Sequence, residues 1–193
     1  MFRSGQIYES KNYHAAVFVG HDNSGSPAFA SVRATKGDFK QDIAGSNKAF
    51  GFRREGLSDS KTVRIFESAI DLLSDITIDK MDNHPHNNVH RVALSGVSAH
   101  ALANMFDKYP AIDKVELCLD KDTAGVTACL RIQKQFGSDK IRFIYKPPSN
   151  GKDYNEYLIN KIDLKKQKIR SHRTDFFQPV KKPQVSDVRN CGF

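Results

Sequence analysis

The sequence has 193 residues, with 30 Lys and Arg against 22 Asp and Glu, and a formal net charge of +8. This length can bury one full domain core and leaves room for little more than an appendage. The three cysteines form an odd number without a Cys-x-x-Cys spacing, which argues against a disulfide framework and a zinc ribbon. Since no apolar run could span a bilayer, we expect a soluble cytoplasmic protein. The positive net charge favours a polyanionic partner.

Residues 1–58 predict a small antiparallel β unit. β-like runs at residues 14–21 and 27–34 are separated by Asp-Asn-Ser-Gly-Ser, a hairpin signal. Residues 48–53 are expected to add another strand. Basic residues and phenylalanines are interleaved in this region, which could form a nucleic-acid track with stacking rings. The pattern favours the simpler interpretation, with phenylalanines in the core and basic side chains in water.

Residues 59–160 predict a parallel sheet whose polar loops meet at one edge. Short β-like runs at residues 61–66, 91–94, 114–119 and 141–144 are each followed by a polar loop and then a helical pattern. In open α/β sheets, ligands bind in the crevice outside the carboxyl ends of the strands. These loops are therefore the expected place for a functional site.

Acidic residues follow three of the four runs. Glu67 and Asp71 come after the first, Asp120 and Asp122 after the third, and Asp153 after the fourth. Hard carboxylate oxygens at such an edge suit Mg²⁺ or Mn²⁺, which accept one or two carboxylates together with water and substrate phosphates. Asp122 could instead serve only as a helix cap, and the pattern leaves both alternatives open.

Several residues are candidates for contacts with phosphate. Gly96 follows the second run and would let a phosphate approach the backbone, while Lys121 and Lys152 adjoin the acidic residues. Residues 161–193 carry nine Lys or Arg against three Asp, a net charge of +6. This segment either binds nucleic-acid phosphates or is a solvated tail, and the candidate contacts in it are Lys165, Lys166, Lys168 and Arg170.

The linker between the first two runs contains three histidines. His84, His86 and His90 could bind a transition metal. The polar surroundings, Pro85 and the lack of cysteine favour a solvated loop instead.

Together these motifs resemble the Toprim domain shared by bacterial primases, topoisomerases and several nucleases, over about residues 60–159. Glu67 matches the family's glutamate after a hydrophobic strand, and Asp120 with Asp122 matches its Asp-x-Asp pair. Asp71 and the Ala-Gly pair after Asp122 resemble the primase variant. Residues 15–48 are similar to a small domain that precedes Toprim in proteins of plasmids, phages and integrative elements.

This resemblance implies an α/β fold with a Toprim-like parallel sheet flanked by helices and a small N-terminal antiparallel β unit. The domains would be residues 1–58, 59–160 and a basic tail, 161–193. Glu67, Asp120 and Asp122 would be catalytic in metal-dependent phosphoryl transfer, with Asp71 and Asp153 as further metal ligands.

The implied activity is primase-type nucleotidyl transfer in DNA replication or mobile-element maintenance. Its partners would be single-stranded DNA, nucleotides, and a helicase, relaxase or other replication protein. A Toprim nuclease is one alternative. Another is a non-catalytic nucleic-acid-binding or partner-docking module, because Ser68 replaces a usual glycine and Asn155 replaces a usual acid.

Overall fold

The computed structural model of the protein describes residues 5–11, 14–94 and 99–176, and only the backbone of residues 171–176. The chain divides into two compact units, residues 1–160 and residues 161–193. The described strands lie in the first unit and form two sheets.

The first sheet is antiparallel and contains four strands in chain order. They are β1 (Ile7–Glu9), β2 (Ala16–His21), β3 (Pro27–Arg33) and β4 (Lys40–Asp42). The predicted hairpin between β2 and β3 is confirmed, since a carboxylate oxygen of Asp22 accepts hydrogen bonds from the next turn residues and closes the turn.

The second sheet contains five strands in the order β5-β7-β6-β8-β9. They are β5 (Arg53–Arg54), β6 (Thr62–Phe66), β7 (His90–Ala93), β8 (Lys114–Leu117) and β9 (Arg142–Tyr145). The last four are parallel to one another, and β5 pairs antiparallel with β7. The predicted fold class, a parallel sheet with a small antiparallel β unit before it, is confirmed.

Four helices follow strands of the second sheet. They are α1 (Ala69–Met81), α2 (His100–Lys108), α3 (Thr123–Phe136) and α4 (Tyr154–Phe176). Each connection between successive parallel strands thus contains a helix, as parallel pairing requires. None of the helices in the described part of the chain is both long and apolar enough to cross a membrane.

The strand predicted at residues 48–53 is wrong. A 3-10 turn occupies Lys48–Phe50 because the side chain of Asn47 accepts a hydrogen bond from the backbone N–H of Ala49. The chain then passes so close to β7 that a Cβ on Gly51 would lie 2.5 Å from the carbonyl oxygen of Ala93. This close approach carries the next residues into β5, at the edge of the second sheet.

Apolar side chains cover both faces of the second sheet. One cluster includes Ile65 on β6, Leu102 on α2 and Ile132 on α3. The other contains Phe18 of the first sheet and Phe52, whose rings meet edge to face at 5.5 Å. Among the N-terminal phenylalanines, Phe29 and Phe52 are buried as favoured above, whereas Phe39 is 57% exposed. Cys118 and Cys129 are buried, and Cys191 lies outside the described residues.

The three linker histidines do not act together. His90 begins β7, is fully buried, stacks on Tyr109 with 4.0 Å between ring centroids, and accepts a hydrogen bond from the backbone N–H of Gly56. The side chain of His84 is 65% exposed and pairs with Asp79. The prediction of a solvated loop is therefore confirmed for His84 and His86, whereas it is wrong for His90, which is a core residue.

Candidate active site

The acidic loops converge because the strands before them are neighbours. β6 pairs with β8 in parallel, with Ile65 opposite Leu117. Glu67 and Asp120 follow these residues closely, so they emerge at the same edge of the sheet. The backbone N–H of Asp120 lies 3.4 Å from a carboxylate oxygen of Glu67.

The charge at this edge is concentrated around Asp120. The pKa of this carboxyl is raised to about 7. Burial is the largest cause, and the neighbouring carboxylates of Glu67, Asp71 and Asp153 add to it. The ammonium group of Lys152 acts in the opposite direction. Four acidic side chains thus lie close enough to repel one another, and a cation among them would relieve that repulsion.

Asp71 joins two helices through its carboxylate. One oxygen accepts a hydrogen bond from the hydroxyl of Ser68 at 2.6 Å, and the other accepts one from the backbone N–H of Asn155 at 3.2 Å. Burial raises the pKa of Asp71, while the bond from Ser68 lowers it. Through these two hydrogen bonds, Asp71 connects the start of α1 to the start of α4.

Asp122 is a helix cap. Its Oδ1 accepts a hydrogen bond from the backbone N–H of Gly125 at 2.9 Å, and its Oδ2 lies 3.2 Å from the ammonium of Lys152. These two contacts lower the pKa of Asp122. Asp122 therefore caps α3, and Oδ2 is the oxygen that the cap leaves for a ligand.

A glycine is required next to this cap. A Cβ on Gly125 would lie 2.1 Å from the carbonyl oxygen of Asp120, well inside contact distance. The glycine therefore lets the first turn of α3 pack against the loop that carries both aspartates.

The loop after β9 closes the acidic side of the site. The carboxylate of Asp153 caps α4 by accepting a hydrogen bond from the backbone N–H of Glu156 at 2.7 Å, and Glu156 in turn accepts one from the backbone N–H of Lys152. The carbonyl of Lys152 accepts a hydrogen bond from the backbone N–H of Lys121 at 2.7 Å. This bond ties the loop to the Asp-x-Asp segment.

The side chains are suited to a hard divalent cation by chemistry and charge. Carboxylate oxygens are the donors that Mg²⁺ and Mn²⁺ prefer. The raised pKa of Asp120 shows that several carboxylates are crowded around it in a partly buried place. As they stand, no three acidic, histidine or cysteine side chains in residues 5–11, 14–94 and 99–176 are arranged to hold a metal ion. Binding would therefore need some rearrangement of side chains, and the pairing of Asp122 with Lys152 is one that could change.

A cavity of about 500 Å³ separates the acidic loops from the first sheet. The acidic loops contribute Glu67, Asp120 and Asp153 to its lining, and the first sheet contributes Arg33 and Lys40 together with Asp42. Arg33 and Lys40 are cross-strand partners on β3 and β4. The interpretation of the basic N-terminal side chains as solvated agrees with the exposure of Lys40, and the strand pairing sets Lys40 beside Arg33.

The other predicted phosphate contacts belong to three other parts of the sequence. Gly96 lies outside the described residues, and so does the part of the basic tail after residue 176. Lys121 is exposed beside the acidic loop. On α4 in the second unit, the exposed candidates are Lys165, Lys166, Lys168 and Arg170.

Two family models match the chain. A model described as Toprim-like matches residues 64–158, and a model described as a protein of unknown function matches residues 1–58. No curated protein is significantly similar to this chain in sequence.

Three solved structures that are similar to this chain contain primase domains. The primase fragment of the bacteriophage T7 primase-helicase is 20% identical with a TM-score of 0.60, and the match covers 84% of this chain and 65% of that one. The zinc-binding and RNA polymerase domains of Aquifex aeolicus primase are 19% identical with a TM-score of 0.54, covering 86% and 44%.

A third structure, the DnaG primase catalytic domain bound to single-stranded DNA, is 16% identical with a TM-score of 0.52, covering 89% of this chain and 57% of that one. The chain thus spans less than two thirds of the length of each of these three structures. At such identities the likeness is one of fold.

Proposed function

Because this chain carries a Toprim-like domain with the fold of primase catalytic domains, we propose that it is a divalent-metal-dependent nucleotidyltransferase that acts on nucleic acid. The observation that supports this proposal is the convergence of Glu67 and Asp120 on a cavity that Arg33 and Lys40 also line. Burial and the neighbouring carboxylates raise the pKa of Asp120.

Glu67, Asp120 and the Oδ2 atom of Asp122 would hold the cation. A divalent ion bound there would stabilise negative charge on the attacking and leaving oxygens of a phosphoryl transfer. Asp71 and Asp153 act mainly through position, since each accepts a backbone hydrogen bond at the start of α4. Asp71 would link the start of α1 to the start of α4, and Asp153 would fix the first turn of α4.

Arg33, Lys40 and Lys152 would bind the phosphates of the nucleotide. Arg33 and Lys40 line the cavity together with Glu67, and the Nζ atom of Lys152 lies 3.8 Å from Oδ2 of Asp120. A guanidinium and an ammonium group form charge-assisted hydrogen bonds to phosphate oxygens, which are stronger than neutral ones. These three basic residues therefore suit a polyphosphate that binds in the cavity.

The nucleic-acid partner is proposed to be single-stranded DNA. The net charge of +8 favours a polyanion, and one of the similar structures is a primase domain bound to single-stranded DNA. Lys121, with the basic residues of α4 and the tail, would add contacts along the backbone. A helicase, relaxase or other replication protein is the proposed macromolecular partner.

Two observations favour a second candidate, a non-catalytic nucleic-acid-binding module. Lys152 already neutralises Asp122, and the described side chains do not form a ready metal site. In such a module the acidic loops would be structural, and binding of nucleic acid would be unchanged in chelator.

The test is a gel assay with labelled single-stranded DNA, nucleotides, and Mg²⁺ or Mn²⁺. New or extended products that fall at least about 100-fold in Asp120→Asn would support nucleotidyl transfer. The matched control is Asp139→Asn, an exposed acid that precedes β9 at the other end of the sheet. Shortened DNA would instead indicate a nuclease, and no metal-dependent product in any lane would favour the binding module.

A further inference from the structure

Lys152 places its ammonium group between the two aspartates of the Asp-x-Asp segment. Its Nζ lies 3.2 Å from Oδ2 of Asp122 and 3.8 Å from Oδ2 of Asp120. The oxygen of Asp122 that it meets is the one that the helix cap leaves for a ligand. A lysine therefore already stands where a cation shared by these carboxylates would be expected.

The backbone of Lys152 is fixed, whereas its side chain is open to solvent. Its carbonyl accepts a hydrogen bond from Lys121, and its N–H donates to Glu156, both at 2.7 Å. The side chain is 58% exposed and can turn without moving either loop. The ammonium group could thus leave the aspartates while the carboxylates keep their positions.

We propose that Lys152 is an internal counter-ion, which a divalent cation displaces from Asp120 and Asp122 when it binds. This inference rests on the proposed function, because it assigns the same aspartates to a metal. A divalent ion carries twice the charge of the ammonium and can be shared by several carboxylates, so it attracts them more strongly. The lysine would hold the metal-free site together and set the affinity for the metal.

The displaced ammonium group then becomes available to phosphate. Lys152 lines the cavity that also contains Glu67 and Arg33, so its freed side chain can reach a phosphate bound there. Metal binding would precede the contact between Lys152 and phosphate. Lys152 is thus a positioning residue before metal binds and a phosphate contact afterwards.

The experiment is a titration of the full chain with Mn²⁺ at constant ionic strength, with free Mn²⁺ measured by electron paramagnetic resonance. Removing the competing charge should make Lys152→Met bind Mn²⁺ about tenfold more tightly than the unmodified protein. Lys121→Met is the matched control, because it removes an exposed charge from the residue between the two aspartates. It should change the affinity by less than about threefold.

Equal affinity in the unmodified protein and Lys152→Met would overturn the inference, and so would an equal gain in Lys121→Met. The variant Asp120→Asn separates this failure from failure of the proposed function. If Asp120→Asn binds Mn²⁺ much more weakly, the metal site stands whatever Lys152 does. If no variant differs from the unmodified chain, or none binds Mn²⁺, both proposals fail. Circular dichroism spectra establish that each variant is folded.

Discussion

The backbone N–H of Asn155 donates a hydrogen bond to Asp71 across 84 positions of the sequence, at 3.2 Å. The residue that stands where a second acid was expected therefore completes the site through its backbone, and the side chain of Asp71 is used to join α1 to α4. This contact gives Asp71 a structural role beside its acidic charge.

We predict that Asp71→Asn keeps this connection and Asp71→Ala breaks it. The amide oxygen of an asparagine can still accept from Asn155, whereas alanine leaves that N–H without its partner. Asp71→Ala should lower the free energy of unfolding by about 1–3 kcal/mol. Urea unfolding and Mn²⁺ titration check both variants. Loss of Mn²⁺ affinity in Asp71→Asn with full stability would show instead that Asp71 is a direct ligand.

The stability of the metal-free protein should depend on Asp120 in a defined pH range. The pKa of this carboxyl in the folded protein is about 7, above its ordinary value of 3.8, so the folded state binds more protons than the unfolded state between these values. Stability from this group is therefore greatest below about pH 4 and is lost as the pH rises toward 7.

Asp120→Asn removes the partly buried charge of Asp120 and its repulsion from the neighbouring carboxylates. In chelator at pH 8, the variant should be more stable than the unmodified protein by about 1 kcal/mol, or roughly 2–4 °C in Tm, a value reduced for solvent screening. At pH 5 the difference should shrink because Asp120 is then protonated. Thermal unfolding at both pH values, with Asp139→Asn as the control, checks this. A variant less stable at pH 8 would refute the electrostatic account.

Gly125→Ala should disrupt the Asp-x-Asp loop. The added Cβ would clash with the carbonyl oxygen of Asp120, so either the helix start or the loop must move. We expect a loss of about 1–3 kcal/mol in the free energy of unfolding and weaker Mn²⁺ binding. The neighbouring variant Ala124→Ser, at an exposed position of α3, should change both quantities little. Urea unfolding of the two variants decides between a local clash and a general effect of the helix.

The paired basic residues of the first sheet should bind phosphate. Arg33→Gln and Lys40→Gln are each expected to weaken nucleotide binding by about five- to tenfold at low salt, because each removes a charged donor. Lys36→Gln changes an exposed lysine between the same two strands that does not line the cavity, so it should have a smaller effect. Fluorescent nucleotide titrations at two salt concentrations measure this. Equal losses in all three variants would indicate a nonspecific charge effect.

Local signals in the sequence predict the four parallel strands of the second sheet and the acidic loops, because each loop directly follows its β-like run in the sequence. Residues brought together from distant positions were harder to identify. The pairing of Arg33 with Lys40 depends on the register of β3 and β4. The contact between Asp71 and Asn155 depends on how the first turns of α1 and α4 are placed in the fold. The strand expected at residues 48–53 fails partly because of a local hydrogen bond from Ala49 to the side chain of Asn47, and partly because Gly51 approaches β7, a tertiary contact.

The most direct test of a metal at the reacting phosphate is incorporation of a nucleotide whose α-phosphate carries sulfur in place of one oxygen. Sulfur is a poor ligand for Mg²⁺ and a better one for the softer Mn²⁺. The proposed mechanism predicts that the sulfur slows incorporation in Mg²⁺, that Mn²⁺ restores it, and that Asp120→Asn abolishes both. Equal rates for the oxygen and sulfur nucleotides in Mg²⁺, or incorporation that persists in Asp120→Asn, would contradict it.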